Sequence, residues 1–273
     1  MKQAGGGVER VITHLPSGSI IGLRSSRDNA RGRISQQALL ELWAGKFVPQ
    51  SGSCECLLRT AYVGRDDLTL FPGTLIENLL HWTPAGGNTE YDSLVLYSLC
   101  KRGGISTDLI GETPTGTEWP EGEQIYEAGS LKNLDREDVA RICLMRAVLT
   151  LPDVLLMFRV ADDWPIERQR DLFTLAQDYL EGSLDDLLHF YPLPRSSAAS
   201  KTPPRATRRA THASAVSSEE TTEEETHHIN RTVVIAATDA ALNMGLQSTD
   251  LVLTLHSVSE GTLHLKNDVL HGK

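Results

Sequence analysis

Long apolar runs are missing from this chain. The best stretch, Ile142 to Phe158, is interrupted by Arg146, Pro152 and Asp153, so no segment reads as a bilayer span. Residues 1–7 are polar and glycine-rich rather than a secretory signal. Cysteine is scarce as well. Cys54, Cys56, Cys100 and Cys143 are too few for a disulfide scaffold. The one close pair, Cys54 and Cys56, has no further Cys or His beside it to complete a metal site. Reduced thiols in an intracellular, cytoplasmic-type compartment are the expectation, with peripheral attachment to a membrane open only through a partner. Basic residues are outnumbered: 26 Lys and Arg against 36 Asp and Glu leave a formal charge of −10, which argues against nucleic acid as a partner. What is present is a core's worth of apolar residues. With 273 residues, 40% of them hydrophobic, the chain supports one large domain or two small ones.

One segment departs from this composition. Residues 195–231 carry a basic first half (Arg195, Arg205, Arg208, Arg209) and an acidic second half (Glu219, Glu220, Glu223, Glu224, Glu225), with no aromatic residue. Nothing there offsets the entropy of ordering, so a disordered, low-complexity insertion is expected, serving as a spacer. On either side of it strand and helix signals alternate. Ser19 to Leu23, Leu57 to Val63, Val154 to Phe158, Thr232 to Ala237 and Asp250 to Leu255 read as strands. Apolar residues at Ile34, Ala38, Leu39, Leu42 and Trp43 have helical spacing. Further helices are expected from Leu75, from an Asp135 cap through Leu149, and over residues 166–190. Continuous apolar strands separated by helices imply an α/β fold with a mainly parallel sheet. The domains expected are an N-terminal lead-in at 1–17, one domain formed by 18–194 and 232–273, and the insertion between.

The run Leu70-Phe-Pro-Gly-Thr-Leu-Ile-Glu-Asn-Leu79 resembles the segment after the Q-loop of ATP-binding cassette (ABC) ATPases, particularly those of exporters. Other pieces follow in the family's order. Gly18 to Leu23 is similar to the strand entering the phosphate loop, and Leu39 to Gly45 to the helix after it. Ile142 to Leu149 with Leu151 to Leu156 resembles the signature helix and the Walker B strand. Thr232 to Asp239 resembles the strand before the H-loop, and Thr249 to Leu255 with Glu260 to Thr262 the closing strands. The likeness spans about residues 18–265 without the insertion. It implies a P-loop NTPase-type parallel sheet flanked by helices, with a helical subdomain.

The family's catalytic positions hold other residues here. A phosphate loop wraps phosphates with glycine backbone and a Gly-Lys-[Ser/Thr] end; Arg24 to Ser35 has one glycine, Gly32, and no such end. The lysine position falls on Gln36 counted from the helix, or near Arg31 counted from the strand, in a loop about five residues longer than the family's on that alignment. Arg31, Gly32, Arg33, Ser35 and Gln36 form at most an anion-attracting loop, and a solvated basic loop is preferred. The Q-loop position is Arg65 or Asp66. The signature maps to Leu134, Asp135, Arg136, Glu137 and Asp138, whose carboxylates are read as helix caps. Walker B maps its magnesium-binding aspartate to Phe158 and its general base to Arg159, residues that can do neither job. Asp162 and Asp163 are expected to be exposed loop carboxylates. The H-loop histidine maps to Asp239, or Thr238 on a tighter count; His227, His228 and His256 show no ligand spacing. Residues 1–15 offer no aromatic to stack on adenine.

The resemblance with these substitutions implies a non-hydrolysing pseudo-ATPase with no catalytic or metal-ligating residue and no cofactor. Its partners would be another ABC-type domain, a membrane transporter subunit or a larger complex. The alternative is an ATPase subunit, or a fragment of one, that binds ATP and magnesium through a rewired or composite site.

Overall fold

The computed structural model describes residues 17–25, 30–47, 58–81, 92–115, 119, 125–126, 134–184, 231–246, 251–257 and 263–268. Its strands are β1 (Ser19–Ser25), β2 (Thr60–Gly64), β3 (Gly73–Thr74), β4 (Ile125–Tyr126), β5 (Val154–Phe158), β6 (Thr232–Ala236), β7 (Leu251–Ser257) and β8 (Leu263–Asp268). The helices are α1 (Ala30–Trp43), α2 (Leu75–Leu80), α3 (Ser93–Arg102), α4 (Thr107–Ile110), α5 (Arg136–Leu149), α6 (Ile166–Leu180) and α7 (Asp239–Gly245), with a 3-10 turn at Arg65–Asp67.

The main sheet has the order β2-β5-β6-β1-β7-β8. All pairings are parallel except β7 with β8. Val154 to Phe158 lies beside Thr232 to Ala236 in matched register, the arrangement their unbroken apolar sequences call for, since a strand covered on both faces has no polar side to offer. One face (Ile21, Leu23, Leu156, Phe158, Val234) packs under Leu40 of α1. The opposite face (Ile20, Leu155, Met157, Val233, Ile235) packs on α5, α6 and α7. Gly22 allows α7 to come close: a Cβ there would sit 2.5 Å from a methyl of Leu246 and 3.3 Å from one of Leu242.

Helices α2, α3 and α4, the short antiparallel β3–β4 pair and Trp119 make up a second packed region against α5. Trp119 is its largest fully buried side chain; its indole nitrogen donates to the Ile110 carbonyl at 2.8 Å and its ring meets Tyr97 edge-on. Several boundaries differ from expectation. β1 runs on to Ser25 rather than ending at Leu23, β2 begins at Thr60 rather than Leu57, β6 ends at Ala236 rather than Ala237, and α6 ends at Leu180, with residues 185–190 outside the described region. The expected insertion also lies outside it, apart from Arg231. That residue is buried, donates to the Tyr179 carbonyl at 2.9 Å and stacks on its ring at 4.5 Å. Among the described residues no helix is long and apolar enough to cross a membrane.

Candidate functional site

In an open parallel sheet, ligands sit outside the carboxyl ends of the strands, where helices begin. Here the ends of β1, β6 and β5 are aligned, Leu23 beside Ala236 and Ala236 beside Phe158. The residues beyond those ends, with the adjoining part of α1, define the candidate site.

Helix α1 begins at Ala30, so the second half of the long loop expected over Arg24 to Ser35 is helix, while Arg24 and Ser25 end β1 and residues 26–29 lie outside the described residues. Arg31, Gly32, Arg33 and Ser35 belong to its backbone, and their side chains lie outside the described residues. A single glycine among Ala, Arg, Ile and Gln leaves nothing to resist helix propagation. Gln36 is buried, and its amide donates to the Leu23 carbonyl at 2.9 Å. That bond ties α1 to the end of β1.

Phe158 faces α1 in the apolar cluster and is 3% exposed. Arg159 follows with φ of 51°, a left-handed conformation that a non-glycine residue adopts only when its surroundings hold it there. They do so from several sides. Its backbone N–H donates to the Ala236 carbonyl at 2.7 Å, one guanidinium nitrogen to Gln36 Oε1 at 3.3 Å and another to Asp162 Oδ2 at 2.8 Å. The side chains of Arg159 and Asp162 are only 5% and 7% exposed. Asp162 is therefore a buried ion-pair partner and not the exposed loop carboxylate the sequence led us to expect. Burial pushes its carboxyl above the usual range, and the Arg159 charge offsets part of that rise. Its second oxygen, Oδ1, is buried without a hydrogen-bond partner.

Asp163 is more exposed, as expected, yet it too is engaged. Arg65 donates to it at 2.8 Å, Arg136 approaches at 3.7 Å, and Arg136 also donates to the Arg65 carbonyl at 3.2 Å. The residues mapped to the Q-loop and to the signature thus meet at this carboxylate. Asp66 follows Arg65 within the 3-10 turn.

At the start of α5, Asp135 caps the helix by accepting from the Glu137 N–H. The other two carboxylates do different work from the capping expected. Glu137 is buried and pairs with Arg141 and Arg168 at 2.8 and 3.0 Å. Asp138 accepts from the Ser106 N–H at 3.0 Å, and burial pushes its carboxyl above the usual range. Asp239 is exposed in the first turn of α7, which Thr238 caps through the Ala241 N–H. His227 and His228 lie outside the described residues. Among the described residues no three His, Cys, Asp or Glu side chains converge as metal ligands.

The Arg159–Asp162–Gln36 contact was not read from the sequence, because Arg159 and Gln36 lie 123 positions apart. The only available hint was an arginine and an aspartate three residues apart beyond a buried strand.

The fold, a mainly parallel sheet flanked by helices, is similar to that of ABC ATPase domains. A metal-chelate type ABC transporter, solved in an inward-facing conformation, superposes with a TM-score of 0.54 over 98% of this chain and 79% of its own, at 13% identity. The RNase-L inhibitor superposes at 0.55 over 93% of this chain, with 13% identity. An archaeal ribosome recycling factor, solved with a ribosomal stalk protein, superposes at 0.53 over 91% of this chain, with 14% identity. The chain spans about a third of the length of these last two, 35% and 34%. No family model and no curated protein matches the sequence.

Proposed function

We propose that this chain is a degenerate, exporter-like ABC-type nucleotide-binding domain that does not hydrolyse ATP and acts through contacts as an interaction or structural subunit. The buried Arg159 carries the reading. It sits beyond β5, where the resemblance calls for a general base, and a guanidinium stays protonated at any relevant pH. Phe158 before it supplies no oxygen to a hard cation. Gln36 is committed to Leu23 and Arg159. These side chains do not fit a magnesium–nucleotide complex, so no catalytic step is assigned to them and no cofactor is required.

The partners proposed are another ABC-type domain, a membrane transporter subunit or a larger protein complex, and not nucleic acid, given the net charge of −10. An intracellular reducing compartment suits the free, buried Cys100 and Cys143. One observation favours the second reading, an ATP-binding subunit with a rewired or composite site: the spare, buried Oδ1 of Asp162. A joint assay separates the two. The purified chain is expected to show no magnesium-dependent ATP hydrolysis above background and no rise in melting temperature with saturating ATP and magnesium. A turnover of even a few per minute that is lost on changing Asp162 and Asp163 would overturn the first reading in favour of the second.

A further inference from the structure

The short turn from Arg159 to Trp164 sends contacts in three directions. Arg159 reaches α1 through Gln36 and folds back on Asp162. Asp163 holds Arg65, at the start of the 3-10 turn after β2, and faces Arg136, the first residue of α5. Trp164, 6% exposed, lies under the Arg141 guanidinium at 4.4 Å. Arg141 in turn is hydrogen-bonded to Glu137, to Asp171 of α6 and to the Gly103 carbonyl after α3. The three arms reach elements far apart in the chain; Gln36 is also bonded to the Leu23 carbonyl, Arg136 to the Arg65 carbonyl, and Arg141 to Glu137, Asp171 and Gly103.

The turn itself is held out of its relaxed conformation. Arg159 keeps a positive φ, which persists only where the surroundings over-determine it. Segments joined through one over-determined node open together rather than separately, because loosening one arm removes what holds the others.

We infer that the turn 159–164 is a built-in latch that makes α1, the 65–67 turn and the start of α5 a single rigid body without any ligand bridging them. In a nucleotide-dependent domain a bound ligand can couple such segments; here the arginines and aspartates of the chain itself do so. The inference goes beyond the proposed function and stands without it, because it concerns which segments move together and not whether ATP is cleaved.

Amide hydrogen exchange on the full-length chain, with no nucleotide added, tests it. Asp163→Asn is expected to raise exchange at least fivefold in residues 65–68 and 134–140, which border its contacts. It should also raise exchange at residues 36–40 of α1, which Asp163 does not touch. Arg65→Met, altering the same arm from outside the turn, is expected to give the same rise at 36–40, and it decides the matter if Asp163→Asn fails to fold. Exchange that changes only at 65–68 and 134–140, or nowhere, would reduce the turn to independent surface contacts and overturn the latch. Neither outcome bears on hydrolysis, so failure here is distinguishable from failure of the proposed function.

Discussion

Arg159 is the residue on which most of the site's character rests. A buried charge is tolerated only when paired and hydrogen-bonded, and here Asp162 pairs it while Gln36 accepts a further bond. Arg159→Glu, which restores the residue type a general base would need, is therefore expected to destabilise the fold by about 3 kcal/mol, because it breaks a buried pair and sets two carboxylates against each other. Urea unfolding should show the loss as a lower midpoint, and an ATPase assay should show no activity gained. Replacing both partners, Arg159→Met with Asp162→Leu, should recover most of the loss, since an apolar pair leaves no orphaned charge. A double variant no more stable than the single one would mean that the ion pair is not what Arg159 contributes. A gain in hydrolysis by Arg159→Glu would mean that the site needed only its base.

At the scale of elements, the decapeptide that carried the family resemblance turns out to be a packing device. Thr74 caps α2 in a complete capping box with Glu77. Gly73 has φ of 149°, and a Cβ there would run into the Glu77 carboxylate. Asn78, 1% exposed, folds the preceding loop back on the helix: its amide donates to the Phe71 and Thr74 carbonyls, and its oxygen accepts from the Phe71 N–H. Arg146 of α5 then reaches the Asn78 side chain at 2.9 Å and its carbonyl at 2.6 Å. Asn78→Leu, close in volume but unable to donate or accept, is expected to cost about 3 kcal/mol by leaving several buried polar groups unpaired, against about 1 kcal/mol for Thr74→Ala. Equal and small shifts in the urea midpoint for the two variants would contradict that assignment. Elements of this kind were legible in the sequence because their signals are local: a helix starting at Leu75, an Asp135 cap on α5, an unbroken apolar run at β5. The start of α1, the burial of Asp162 and the role of Glu137 were not. The pairs themselves are local, Arg159 three residues before Asp162 and Arg141 four after Glu137; their burial under other elements is what no window of neighbouring residues shows. For the candidate site the sequence shows which residues stand at the positions the resemblance marks, while the arginine network that joins them needed the fold to be seen.

For the whole molecule, the carboxylates do not all pull stability in one direction with pH. Asp153 is hydrogen-bonded by the Arg59 side chain and backbone, where the strands β2 and β5 begin. Chiefly the Arg59 side-chain bond holds its carboxyl below the usual range. Its folded pKa lies below the unfolded value near 3.8, so its stabilisation is full above that value and is lost as pH falls through the folded pKa. Asp138 and Asp162 have the opposite sign. Burial raises both, so their ionised forms are costly in the fold, and acidification through the raised values relieves that cost. Asp153→Asn should thus lower stability at pH 7 by about 1 kcal/mol, a modest figure because Arg59 is largely exposed, and the gap to the parent chain should narrow below pH 4. Asp138→Asn keeps an oxygen to accept from the Ser106 N–H and sheds the buried charge, so it should be at least as stable as the parent at pH 7 and lose that advantage in acid. Urea midpoints of the parent and the two variants between pH 3 and pH 7 would show lines converging from opposite sides. If Asp138→Asn were instead the less stable variant at neutral pH, the charge on Asp138 would be serving α5 as a helix-end anion after all.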